Sequence, residues 1–151
     1  YSEGGFLKTP GAVDAFLEAH KIAVGMAKWQ EGNRPSLLKI SWPLQIGGVS
    51  SGGRLTIEAS IRAPDPTFSA VLIFAERAIA RLDYDPNDVH YNPWDSPDGL
   101  PKGKMIGVHA HLWADNRAHV PSNGLPKKAT GCQACSRRAS KRFRLGHGLV
   151  S

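Results

Sequence analysis

FSAVLIFAERAIARLDY, residues 68–84, is the stretch whose reading decides the fold. Phe68, Val71, Leu72, Ala75, Ala78, Ile79 and Leu82 fall at the three- and four-residue spacing of an amphipathic helix. The same run contains Val71-Leu72-Ile73-Phe74, β-branched and aromatic types that suit strands and are apolar on both faces. As a helix, the segment takes two strands out of the sheet. As a hairpin turning around Glu76-Arg77, it supplies them. Residue type favours the hairpin.

Upstream, RLTIEASIRA (54–63) alternates cleanly. Leu55, Ile57, Ala59 and Ile61 face one way, and Thr56, Glu58, Ser60 and Arg62 the other. SLLKISWPLQI (36–46) alternates through Leu38, Ile40 and Trp42, but Pro43 cannot donate to a ladder and marks an edge strand or an early end. GGVSSGG (47–53) reads as a flexible turn, so the two runs form an antiparallel hairpin. Further back, Thr9 suits an N-cap and Pro10 a first helical position. Val13, Phe16, Leu17, His20, Val24, Ala27 and Lys28 extend the helical spacing. The predicted helix therefore reaches Glu31-Gly32-Asn33, where Arg34-Pro35 blocks continuation.

Downstream, residues 85–103 carry Pro86, Pro93, Pro97 and Pro101 and read as a long loop. Lys104 to Trp113 then reads as one strand. His109, His111 and Trp113 share one face of it, and Val108, Ala110 and Leu112 the other. The predicted architecture is α+β: an N-terminal helix packed on an antiparallel sheet of four to five strands over residues 9–116, then a basic tail, 117–151.

Charge divides the chain at the same place. The 151 residues carry a net charge of +6. Residues 117–151 hold eight Lys/Arg and no acid, leaving 11 Lys/Arg against 13 Asp/Glu before them. A polycationic tail on a near-neutral body points to an acidic partner, nucleic acid and RNA first. Lys127, Lys128, Arg137, Arg138, Lys141, Arg142 and Arg144, with Phe143 interleaved, suit phosphate contacts and one stacking contact. No run is apolar over the ~20 residues that a membrane span needs, and no charged-then-apolar leader opens the sequence. No membrane role is expected. The two cysteines, Cys132 and Cys135, close too small a loop to staple a fold, which suggests a reducing cytoplasm. No cofactor is required for folding at this size. Zinc is the one cofactor the composition admits in the tail, on Cys132 and Cys135 with His119 and His147.

The residues with reactive chemistry cluster elsewhere. Arg81 and Asp83 are two apart and share a face in a strand, as do His109 and His111. With His90 and Asn92 they hold the parts for phosphodiester work. One imidazole acts as base and another as acid. Arg81 holds the phosphate, and Asp83 orients a ring. The same H-x-H pair also suits a metal, with His90 or Asp83 as third ligand. Against both stands a plain alternative, histidines solvated or hydrogen-bonded on a half-exposed sheet face.

Arg81-Leu82-Asp83, His90-Tyr91-Asn92-Pro93, Asp98-Gly99 and Gly107-Val108-His109-Ala110-His111-Leu112-Trp113 together resemble a poorly characterised family of small bacterial and prophage-borne proteins. A looser likeness runs to the toxins of toxin–antitoxin pairs, which combine R-x-D with a downstream H-x-H. The resemblance covers residues 68–116. It implies a mobile-element setting, an antitoxin or host protein as partner, and one functional unit made of Arg81, Asp83, His90, Asn92, His109 and His111. Three functions follow as expectations. The first is a histidine-dependent ribonuclease or toxin. The second is a non-enzymatic mobile-element protein that binds nucleic acid or a host nucleoprotein complex. The third is a zinc-supported interaction module.

Overall fold

A computed structural model describes residues 9–61, 65–92, 94 and 98–117. The chain runs α1 (Pro10–Glu18), β1 (Ile22–Ala23), β2 (Gln30–Glu31), β3 (Leu37–Ile46), β4 (Val49–Ser60) and β5 (Thr67–Phe74). It continues through β6 (Arg77–Tyr84), β7 (Val89–Asn92), β8 (Gly103–Ile106), β9 (His109–His111) and α2 (Trp113–Asn116). The architecture is α+β. One antiparallel sheet has the order β1-β3-β4-β5-β6-β9, with β2 also paired to β3, and β7 pairs with β8 in a small second sheet. The main sheet thus has seven strands rather than four to five. The additions, β1 and β2, are two residues long each and too short to leave a periodic signature.

Residues 68–84 form a hairpin. Its turn is Ala75-Glu76, both left-handed at φ 49° and 64°, with Phe74 opposite Arg77. A two-residue turn with both central φ positive matches the twist of the flanking strands. One residue of β6 is extra: Leu72 pairs with Ala80 while Ile73 pairs with Ala78, which leaves Ile79 as a bulge. Ile79 is fully buried.

The β3–β4 hairpin turns at Gly47-Gly48, both at positive φ. Residues 49–53 are therefore strand rather than flexible turn. A bulge absorbs Ser51 and Gly52, and the Ser51 hydroxyl donates to the Leu44 carbonyl at 2.6 Å. Pro43 does not end β3. Its carbonyl accepts from Val24 N, on the β1 side. The missing N–H lies on that same outer side, away from β4, so the β3–β4 ladder loses nothing.

The helix, at nine residues, is less than half the predicted length. It starts where expected, with the Thr9 hydroxyl accepting from Ala12 N, but its C-cap is Ala19, in extended conformation. The Lys21 ammonium donates to the carbonyls of Phe16, Leu17 and Ala19 and so satisfies the open end. Gly25 turns at φ 87°, and the residues on either side pair with β3 instead. Sheet pairing has overridden a helical spacing.

The core lies between α1 and one end of the sheet. Val13 and Phe16 pack with Leu44, Phe74, Ile79 and Trp113. Phe16 stacks on Phe74 at 4.4 Å, directly over Gly53, where a Cβ would stand 2.4 Å from the Phe16 ring. Trp113 differs from expectation. It leaves the strand at Leu112, enters α2 and buries against α1, and its indole N–H donates to Asp14 at 2.7 Å. Arg117 grips the same carboxylate, with its Nη2 at 2.6 Å.

Candidate active site

The register carries two rows of side chains across one face of the sheet. One row is Lys39, Glu58, Ser69, Asp83 and His109, and the next is Ser41, Thr56, Val71, Arg81 and His111. Opposed residues in an antiparallel pair project on the same side. This face is therefore polar, while Ile40, Ile57, Ala70 and Leu82 occupy the other. The bulge at Ile79 decides which face Arg81 and Asp83 join, because one extra residue reverses the in–out parity of everything after it. Without it they would stand on the apolar side.

Residues 104–113, read as one strand, are two. Gly107 turns at φ 95° between β8 and β9, and its N–H donates to the Asp88 carbonyl at 2.9 Å. That turn folds the β7–β8 hairpin over the polar face. Residues 85–103 therefore contain a strand, β7, not only a loop. His90 lies between the exposed Val89 and Tyr91 and points inward. Its ring meets His111 at 4.8 Å and His109 at 5.2 Å between centroids, and His109 and His111 are also 5.2 Å apart. One ring nitrogen from each of the three lies within 4.8 Å of the others.

Two of the rings have fixed hydrogen-bonding states. His109 Nδ1 donates to the Gly107 carbonyl at 2.9 Å, leaving Nε2 toward the carboxylates. The Asn92 amide donates to the Pro101 carbonyl at 2.7 Å, so its oxygen is the group that accepts from His90 Nε2 at 3.1 Å. His90 Nδ1 is then the open nitrogen. His111 is different: its Nδ1 is buried with no hydrogen-bond partner. Burial pushes the His111 pKa down to about 4, helped by the neighbouring charges of His90 and His109, so the ring is neutral at pH 7.

Asp83 is the hub. It is buried, and it accepts from the Ser69 hydroxyl and from Arg81 Nε at 2.7 Å. Its second oxygen is 3.5 Å from His109 Nε2 and 4.0 Å from His111 Nε2. Burial acts to raise its pKa, but the hydrogen bonds from Ser69 and Arg81, with the Arg81 charge, outweigh it and hold the carboxyl below the usual range. Asp88 stands 4.0 Å from His109 Nε2. Arg81 is half-exposed at the rim. A cavity of about 350 Å³ is lined by Arg81, Asp83, Asp88, His90, His109 and His111. A second, of about 220 Å³, adjoins it at Arg81 and Asp83.

All six residues singled out in the sequence thus lie at or beside one cavity, with Asn92 behind His90 as its hydrogen-bond acceptor. Ser69 and Asp88 were not foreseen. Pairing of Ser69 with Asp83 depends on the bulge, which has no sequence signal; Asp88 could have been suspected from its place two residues before His90. Lys127, Lys128, Arg137, Arg138, Lys141, Arg142 and Arg144 lie outside the described residues, as do Cys132, Cys135, His119 and His147. No helix among the described residues is long and apolar enough to cross a membrane. Comparison with family models, curated proteins and solved structures finds no match to this chain.

Proposed function

We propose that this cavity cleaves phosphodiester bonds of nucleic acid, with RNA as substrate. One observation carries the reading: a half-exposed guanidinium stands at the junction of two cavities and beside a buried imidazole cluster. Arg81 is braced by Asp83 and Ser69 while part of it faces solvent, which suits a phosphate held for reaction. The imidazole cluster activates the attacking oxygen. That oxygen bonds phosphorus as its proton passes to an imidazole of the cluster, and the bond to the leaving ribose oxygen breaks as that oxygen takes a proton from solvent water. His111, held neutral, does not supply that last proton at pH 7. The polycationic 117–151 segment would supply sequence-independent attraction for the strand.

Incubation of the full chain with labelled RNA and DNA oligonucleotides tests this. RNA cleavage is expected to fall ~100-fold or more in His109→Ala and His111→Ala, as for loss of a proton-transfer group. A loss of ~100- to 1,000-fold is expected in Arg81→Ala, as for loss of a charge-stabilising donor. Cleavage that survives all three, or no cleavage by the parent chain, overturns the reading.

A further inference from the structure

We propose that His90, His109 and His111 hold a divalent transition-metal ion, zinc by its ligand type, with one coordination position open to the cavity. Binding of the ion stands on the geometry alone. Its use to activate the attacking oxygen rests on the function proposed above.

The spacing of the rings is the first argument. One nitrogen from each ring lies within 4.8 Å of the other two. Around tetrahedral zinc, with bonds of 2.0–2.1 Å, ligand nitrogens stand about 3.4 Å apart. Coordination requires the three rings, which project from β7 and β9, to draw together by side-chain rotation.

Outer-sphere contacts are the second argument. A ligating imidazole donates its remote N–H to a carbonyl or carboxylate, which fixes the lone pair on the metal side. His109 does this to the Gly107 carbonyl, and His90 does it to the Asn92 side chain, itself oriented by the Pro101 carbonyl. The lone pair of His109 is thereby kept on Nε2 and that of His90 on Nδ1. The third, His111, keeps a buried nitrogen without a protein partner.

Charge is the third. His109 Nε2 stands 3.5 Å from the Asp83 carboxylate and 4.0 Å from that of Asp88. Arg81 offsets one of them. The remaining negative charge favours a cation, and either carboxylate is placed to accept a proton from a metal-bound water. Nitrogen donors select zinc, cobalt, nickel or copper over magnesium and calcium.

Cobalt(II) titration of the chelator-stripped full chain, purified without an affinity tag, tests the site. Cys132→Ser/Cys135→Ser serves as the background, so that tail thiolates contribute nothing. One equivalent is expected to bind, with visible d–d bands and no sulfur charge-transfer band. His90→Ala and His109→Ala should each weaken binding ~100-fold or more, and Asn92→Ala by ~10- to 100-fold, as for an outer-sphere partner. His90 is only partly buried, on the β7–β8 hairpin, so its variant is expected to perturb the fold less than those of the buried His109 and His111. Circular dichroism of each variant checks this. No binding in the double-Cys background, or unchanged binding in His90→Ala and His109→Ala, overturns the proposal. RNA cleavage that persists without metal removes the ion's use in activating the attacking oxygen and spares the nuclease reading. Stoichiometric binding without cleavage does the reverse.

Discussion

At the scale of single residues, the site depends on where hydrogens are held. Asp83 carries a charge in a buried place because Ser69 and Arg81 both donate to it. Gly107 contributes twice, through a left-handed turn that a side chain would strain and through the carbonyl that fixes His109. Gly53 is set by its neighbour instead. The Phe16 ring occupies the space of any Cβ there, so Gly53→Ala must push α1 off the sheet. Overpacking of this kind costs about 1–3 kcal/mol. Urea denaturation should show that loss, with Phe16→Leu partly restoring stability in the Gly53→Ala chain. No loss in the single variant would mean that α1 does not lie over Gly53. None of this was legible in the sequence. Gly53 reads there as one more glycine in a flexible stretch, because close approach is a property of two segments together.

At the scale of elements, the deciding segment was legible in type but not in phase. Residues 68–84 announce strands through Val71 to Phe74, yet the turn has no Asn-Gly or Asp-Gly to mark it. Ala75 and Glu76 take left-handed angles because the strands on either side require that turn. A left-handed conformation costs an L-residue about 1–2 kcal/mol, against which glycine loses about 0.5–1 kcal/mol of chain entropy. Glu76→Gly is therefore expected to be neutral to about 1 kcal/mol stabilising in thermal or urea melts. A clear destabilisation would place Glu76 in some interaction beyond the turn. The bulge at Ile79 is the phase error that pattern reading cannot see, since alternation on either side of it looks regular. α1 fails in the opposite way. Its spacing persists past Ala19, but its residues gain more by pairing with β3.

For the whole molecule, a clamp between the first helix and the last described turn holds β9 in place. Trp113 and Arg117 both donate to Asp14, about a hundred residues away in sequence. The Arg117 hydrogen bond, then that of Trp113, holds the Asp14 carboxyl below its usual range. A depressed carboxylate contributes stability that is complete above the unfolded value of about 3.9 and is lost as pH falls through the folded one. Asp14→Asn removes this contribution. The difference in melting temperature between parent and Asp14→Asn should be constant above about pH 5 and shrink as pH falls below about 4. Other titrating groups cancel in that difference. A gap that stays unchanged into acid would mean that the charge on Asp14 has no part in the clamp.

The sequence by itself determined what is local: the α+β class, the helix start at Thr9-Pro10, the strand character of 54–60 and 68–84, and the shared face of each pair two residues apart. These follow from dihedral preference and from the two-residue period of a strand. Only the tertiary structure decided that the pairs share one cavity, that His90 closes over it, and that Ser69 and Asp88 join it. Each of those depends on a register, a bulge or a hinge. Such features are fixed by the fit of distant segments, and that fit leaves no periodic trace along the chain.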